Sequence, residues 1–437
     1  SIRTGLYGRN VITFTHHNND KSLPSNSITS GDIVGVTHLN ERNVLVSGVV
    51  LFANKNHIEV AFDHDIDHLR ENENLLFNII KLANDVTHRR LKAALNNIRK
   101  NNCNNLVELL FGEREFREPS SHEEMNFFNS NLNQSQKEAV KFALSQPDVG
   151  IIHGPPGTGK TTTLIELILQ CVRGNNLKVL ACAPSNVAVD NILEKLVSQK
   201  QENIVRLGHP ARAFEKLQGY SLDAVLNDSD QFQIINEIRS EIDEMKKGKK
   251  RFGGENIKSL RKDLKQREKK ALKDVIKNCK VVLSTLTTAS PDGPLKALLK
   301  DGDSQLFDVI VIDECSQALE AACWIALPLA KKCILAGDHL QLPPTIISDE
   351  AAKKGLEKTL MERLIETFNG KIVRMLNVQY RMNQNIMNWS SKQLYDMKLI
   401  AHETVENHTL NDIVPNVNID PLLLIDTAGC DMDELDL

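Results

Sequence analysis

Residues 154–161 read Gly-Pro-Pro-Gly-Thr-Gly-Lys-Thr, set between a short apolar run at 149–152 and a helix-forming run at 162–169. That order predicts a strand, a glycine-rich turn and a helix, which is the context a phosphate-binding loop needs. The glycines let backbone N–H groups curl around phosphate oxygens, and the helix N-terminus adds partial positive charge. Gly154, Pro155, Pro156, Gly157, Thr158, Gly159, Lys160, Thr161 and Thr162 are therefore expected to line a triphosphate. Lys160 is expected to reach its β- and γ-phosphates, and the Thr161 hydroxyl to ligate Mg²⁺. ATP and Mg²⁺ are the ligands this reading names.

Downstream, residues 307–314 form an apolar run that ends in Asp313 and Glu314. A buried parallel strand would deliver both carboxylates to the carboxyl edge of a sheet, where ligands bind. Asp313 is placed to hold Mg²⁺, and Glu314 to orient and deprotonate an attacking water. Further apolar runs at 149–152, 179–183, 281–284, 309–312 and 333–336 alternate with helical stretches. The pattern predicts an α/β domain with a parallel sheet buried on both faces.

At 437 residues the chain has room for about three domains. Residues 1–68 read as short β-branched strands between turns, economically a small β-barrel. Residues 69–120 read as a helical stalk, with Leu82, Val86, Leu91, Leu95 and Ile98 on one face. Within the nucleotide-binding region 121–365, residues 211–277 read as a helical insertion. It is basic at Lys246, Lys247, Lys249, Lys250 and Arg251, then at Arg261, Lys262, Lys265, Arg267, Lys269 and Lys270. Such a run is either a strand-gripping element or a solvated helical hairpin. Residues 421–426 look like another buried strand.

A net charge of −4 argues against a globally basic nucleic-acid binder but permits local patches. No apolar run approaches the ~18 residues that span a bilayer, so no membrane partner is expected. Of the eight cysteines, Cys171, Cys182, Cys323 and Cys333 lie in apolar runs, which favours reduced core thiols, and none has paired metal-ligand spacing.

The phosphate loop alone is also typical of ring-forming ATPases that remodel proteins. The remaining motifs separate the readings: Ala-Pro-Ser-Asn at 183–186, Leu-Ser-Thr-Leu-Thr-Thr at 283–288, Gly-Asp-His-Leu-Gln-Leu-Pro-Pro at 337–344 and Gln-Tyr-Arg-Met at 379–382. In these the chain resembles superfamily 1 helicases, in the group that contains the nonsense-mediated-decay and immunoglobulin mu-binding helicases. The resemblance runs from residue 4 to residue 430.

It implies RecA-like P-loop lobes closing on ATP, with each role carried over by position. Gln136 matches an adenine-reading glutamine, although Asn133 and Gln136 also have the spacing of a helix capping box. Tyr380 matches a residue that stacks on adenine. Gln341 matches a γ-phosphate sensor that couples nucleotide to nucleic acid. Arg381 matches an arginine that approaches the γ-phosphate. Ser185, Asn186, Thr285 and Thr288 match nucleic-acid contacts, and Pro343 with Pro344 an apolar surface beside a base. Ser or Thr at a strand end is as often a cap or turn residue.

The implied activity is ATP-driven movement along single-stranded DNA or RNA, 5′-to-3′. A nucleotide-gated strand-binding module without unwinding is the alternative. The resemblance also implies a monomer, ribonucleoprotein partners and a cytoplasmic and nuclear location. Residues 366–437 match only the opening of a second lobe, so this chain by itself is expected to bind ATP weakly and hydrolyse it slowly.

Overall fold

The computed structural model describes all residues except 1, 6–8, 17–20, 30, 40–42, 63–75, 83–84, 101–103, 116, 120–124, 209–212, 247–253, 300–304, 413, 415–418 and 428–437. Six strands form an antiparallel sheet near the N-terminus: β1 (Ile2–Gly5), β2 (Arg9–Thr15), β3 (Ile33–His38), β4 (Val46–Ala53), β5 (His57–Phe62) and β6 (Phe77–Lys81). Their order is β1-β2-β5-β4-β3-β6, and among the described residues no ladder joins β1 to β6. The described residues thus give the sheet of the expected barrel without a closing ladder. Period-two alternation in β5 turns Ile58, Val60 and Phe62 into a core shared with Ile12, Val34, Val36 and Val50.

β6 corrects the expectation of a stalk beginning at 69. Its residues pair antiparallel with β3, from Phe77 against His38 to Lys81 against Val34. The accessory unit therefore extends to Lys81, and the stalk helix is Asp85–Lys100. This helix reaches the main domain through Arg90, whose Nη1 donates to the Thr287 carbonyl at 2.9 Å. The short helix Asn105–Leu110 follows it, and Phe111 stacks on Trp324 with centroids 4.6 Å apart.

The main domain is a seven-stranded, wholly parallel sheet. Its strands are β7 (Val149–His153), β8 (Val179–Ala183), β9 (Ile204–Arg206), β10 (Val281–Thr285), β11 (Phe307–Ile312), β12 (Ala330–Gly337) and β13 (Val373–Met375), in the order β13-β7-β12-β11-β8-β10-β9. Alternate residues feed separate cores on the two faces: Ile310 and Ile312 on one, Val309 and Val311 on the other. The buried run of each strand follows from this double cover.

β13 moves a second boundary. Residues 373–375, assigned from sequence to the start of a second lobe, pair with β7 and complete the first sheet. After them comes a small unit in which β14 (Val378–Gln379) pairs with β15 (Ile400–Ala401) beside the helix Gln384–Leu394. Met387, Tyr395 and Leu399 form its separate core. The expected strand at 421–426 is not a strand. Leu424 is 90% exposed and Ile425 75% exposed, because no described strand offers that segment a ladder partner.

The insertion is helical as expected. Asp230–Lys246 and Gly254–Asn278 lie side by side, tied by Arg239 Nη2 to Glu268 at 2.6 Å. Arg267 is paired with Asp263 one turn away at 2.9 Å. Lys247, Lys249, Lys250 and Arg251 lie outside the described residues. Six cysteines, among them Cys171, Cys182, Cys323 and Cys333, are buried free thiols. Within the described residues no helix is long and apolar enough to cross a membrane.

One packing detail gives a pH signature. Lys332 on β12 donates from Nζ to the Leu144 carbonyl at 2.8 Å, and burial pushes its ammonium down to about 8 from an ordinary 10.5. The folded chain therefore holds this proton less well than the unfolded chain. Its contribution to stability is present above the unfolded value and lost as pH falls through about 8. In Lys332→Met, unfolding curves should lose the rise in stability between pH 8 and 10.5, and the variant should gain ~1–3 kcal/mol at pH 7. An identical pH slope in variant and parent would contradict the assignment.

Candidate nucleotide site and nucleic-acid face

The phosphate loop leaves β7 and enters the helix Lys160–Leu169. Gly157 and Gly159 both sit at φ +76°, a region that favours glycine. A Cβ on Gly157 would stand 2.7 Å from Cβ of Arg381, and one on Gly159 2.5 Å from Nε2 of Gln136. Glycine is thus what allows Gln136 and Arg381 to close on the loop. Thr158 ties the turn internally, its Oγ1 donating to the Pro155 carbonyl at 2.7 Å.

Parallel alignment brings the end of β11 beside this loop. Lys160 Nζ lies 2.6 Å from Glu314 Oε1 and 3.5 Å from Asp313 Oδ1. Burial raises the Asp313 pKa most strongly; Lys160 pulls it back down, and Glu314 adds to the rise, leaving it above the ordinary carboxylate value. Glu314 has left-handed backbone at φ 52°, held by its own N–H donating to Asp313 Oδ1 at 2.8 Å. A non-glycine residue there stores roughly 1–3 kcal/mol of strain. The turn aims Glu314 back over the loop.

Gln136 forms the capping box that its spacing from Asn133 suggested. Its Oε1 accepts from the Asn133 N–H at 3.0 Å, while its N–H donates to Asn133 Oδ1 at 2.9 Å, completing the capping box. Its Nε2 donates to the Thr158 carbonyl at 3.0 Å, so the same side chain pins the phosphate loop. Tyr380 reaches the loop as well: its N–H donates to the Gly157 carbonyl at 2.9 Å, and its hydroxyl accepts from Asn133 Nδ2 at 2.9 Å. Its ring, partly exposed, lies 4.5 Å from that of His402.

Gln341 sits past the end of β12 with its Nε2 2.6 Å from Asp338 Oδ2. Asp338 lies inside the motif at 337–344, where its sequence neighbours do not mark it out. Burial pushes its pKa up, but hydrogen bonds from His153, Gln341 and Tyr395 outweigh this and hold the carboxylate below its ordinary value. His339 beside it has a depressed pKa, first from burial and then from His153.

The expected nucleic-acid contacts divide. Ser185 is a helix cap, its Oγ accepting from the Ala188 N–H at 3.2 Å. Asn186 Oδ1 accepts from Arg206 Nη2 at 3.0 Å, which turns the amide N–H₂ outward as a donor. Thr285 and Thr288 share a hydroxyl bond of 2.8 Å. A Cβ on Gly208 would stand 3.2 Å from Arg206 Nη1 and 3.9 Å from Thr288 Cγ2, so Asn186 and Thr288 belong to one patch at the ends of β8 and β10. Pro343 and Pro344 follow β12, which β11 separates from β8. Pro343 is exposed and Pro344 buried; Leu342 and Ile347 beside them are 79% and 99% exposed. Arg206 and Asp190, which hold Asn186, were missed because a single arginine in a short apolar run carries no local signal.

Comparison with known proteins follows the same geography. The family model described as the helicase SMUBP-2/HCS1 1B domain matches residues 1–82, and models described as AAA domains match residues 131–257, 249–349 and 356–436. DNA-binding protein SMUBP-2 of Rattus norvegicus is 49% identical, the match covering 99% of this chain and 45% of that protein. DNA polymerase alpha-associated DNA helicase A of Schizosaccharomyces pombe is 34% identical over 98% of this chain and 67% of that protein. A regulator of nonsense transcripts 1 homolog of Neurospora crassa is 34% identical over 64% of this chain and 24% of its own length. The chain spans less than half the length of the SMUBP-2 relatives it matches.

Proposed function

The chain belongs to the superfamily 1 helicases of the SMUBP-2 group, and from that membership we propose that it is the nucleotide-binding lobe of an ATP-driven motor on single-stranded DNA or RNA. The observation that carries the reading is the meeting of Lys160, Asp313 and Glu314 at one sheet edge, with a glycine loop beside them that only backbone can line. ATP is the substrate. Phosphate oxygens reaching Lys160 compete with the Glu314 carboxylate for its ammonium. The donor set suits Mg²⁺: a hydroxyl from Thr161 and a carboxylate from Asp313 are hard oxygen ligands. Once bound, that ion neutralises charge on the phosphates. Glu314 orients a water and takes its proton; Arg381 and Lys160 hold the γ-phosphate oxygens. Gln136 steadies the loop and, with Tyr380, faces the base. Gln341 reports phosphate state to the strand, which lies across Asn186, Thr285 and Thr288. These contacts are with phosphate and sugar and so carry no sequence preference.

Polarity 5′-to-3′, a monomeric state, ribonucleoprotein partners and a cytoplasmic and nuclear location are parts of the same proposal. The test is a titration of Mg-ATP hydrolysis with single-stranded oligonucleotide, in a protein extended through the second lobe. Stimulation of at least about tenfold is expected, the size of an ordinary 1.4 kcal/mol coupling. A rate indifferent to DNA and RNA would favour a protein-remodelling ATPase instead.

A further inference from the structure

Asp338 accepts four hydrogen bonds, two from its own turn and two from distant parts of the chain. Oδ1 takes His153 Nε2 at 2.8 Å and the Leu340 N–H at 3.2 Å. Oδ2 takes Gln341 Nε2 at 2.6 Å and the Tyr395 hydroxyl at 2.7 Å. Its own N–H donates to Ser316 Oγ at 3.2 Å, two residues past Glu314. His153 is the last residue before the phosphate loop, and Gly154 N–H donates to the Gly337 carbonyl at 3.0 Å. His153, Asp338 and His339 also bring three potential ligand atoms within 4.8 Å of one another. Because both carboxylate oxygens are already taken by protein donors, the group works as a hydrogen-bond hub and not as a cation site.

Tyr395 is the member that comes from outside the seven-stranded domain. It caps the helix Gln384–Leu394 and packs in the small core of Met387 and Leu399, separate from both sheet cores. Burial and the neighbouring carboxylate raise its pKa, so its hydroxyl stays a donor. Two donors, one from each unit, therefore meet on one oxygen.

We propose that Tyr395 is a positioning residue for Gln341: through Oδ2 of Asp338 it sets how tightly the sensor amide is held, and so ties phosphate sensing to the position of the unit at 378–401. With Tyr395 donating, Oδ2 is shared and the Gln341 amide is free to turn a proton toward a phosphate oxygen. With Tyr395 withdrawn, Gln341 is the stronger partner of Oδ2 and its amide stays on the carboxylate. The inference rests on the sensor reading of Gln341 given above.

The experiment measures affinity for a labelled single-stranded oligonucleotide by anisotropy, with and without Mg-AMPPNP, in the parent chain, Tyr395→Phe and Tyr395→Leu. The ratio of the two affinities is the coupling factor. Y395F keeps the ring in its core and leaves Oδ2 with Gln341, so the fold is retained, which a thermal melt checks. In Y395F the coupling factor should fall at least about threefold toward unity, while affinity for Mg-AMPPNP itself stays within about twofold. If the ring only packs, Y395F will match the parent and only Y395L will differ, and the proposal is overturned. A parent chain with no coupling at all would instead remove the sensor reading, and this inference with it.

Discussion

Glu314→Gln is expected to slow ATP hydrolysis by about 10²–10⁴ while affinity for Mg-ATP holds or rises. The glutamine keeps the length of the side chain and its place on the strained turn, where the Glu314 N–H is fixed by Asp313. What it loses is basicity, so water can still be oriented but no longer deprotonated. The affinity half of the prediction comes from the 2.6 Å ion pair to Lys160. A neutral amide competes less for the ammonium than a carboxylate does, so phosphate should bind roughly two- to fivefold tighter, the worth of a partly exposed pair. Single-turnover hydrolysis with the chain in excess over labelled ATP reads rates too slow for steady state, and calorimetry reads affinity. Turnover within threefold of the parent would take Glu314 out of the base role. Weakened binding would mean that the carboxylate holds nucleotide, not Lys160 in reserve.

The parts of this molecule that a reader of the sequence recovers are those whose information is local. Gly154 to Thr161 and Phe307 to Glu314 each carry strand, turn and functional group within a few residues, so element and site are legible together. The strands β7, β8, β10, β11 and β12 are legible because a sheet covered on both faces needs unbroken apolar runs. β9 and β13 have three residues each and exist only through pairing with β10 and β7, a partner choice no short window encodes. β6 was hidden for a related reason: its five residues, Phe-Asn-Ile-Ile-Lys, become a strand through pairing with β3. Conversely, Leu422 to Ile425 have strand composition and no described partner, so apolarity overstated their burial. In the site, the four donors to Asp338 come from positions 153, 340, 341 and 395, and nothing in its neighbours announces a hub.

The same distance from local signal applies to Arg206, and makes it the source of the largest stability effect. Its side chain is fully buried; Nε lies 2.6 Å from Asp190 Oδ1, and Asp190 Oδ2 accepts the Phe214 N–H at 2.9 Å. Asp190→Ala strands a guanidinium in the core and orphans that N–H, which should cost about 3–5 kcal/mol in urea unfolding. Replacing both members, Asp190→Leu with Arg206→Met, removes the two charges together and should recover the part of the loss due to the stranded charge, because the attraction of a buried pair roughly repays its desolvation, while the Phe214 N–H stays without that acceptor. A single variant as stable as the parent would mean that water, not Asp190, solvates the guanidinium. The double variant then separates stability from function. It folds, yet Asn186 has lost the donor that fixes its carbonyl, so the amide is free to present oxygen as well as N–H₂ toward a phosphate. Strand affinity should therefore drop in the double variant with Mg-ATP affinity unchanged, which a pair retained for folding alone would not produce.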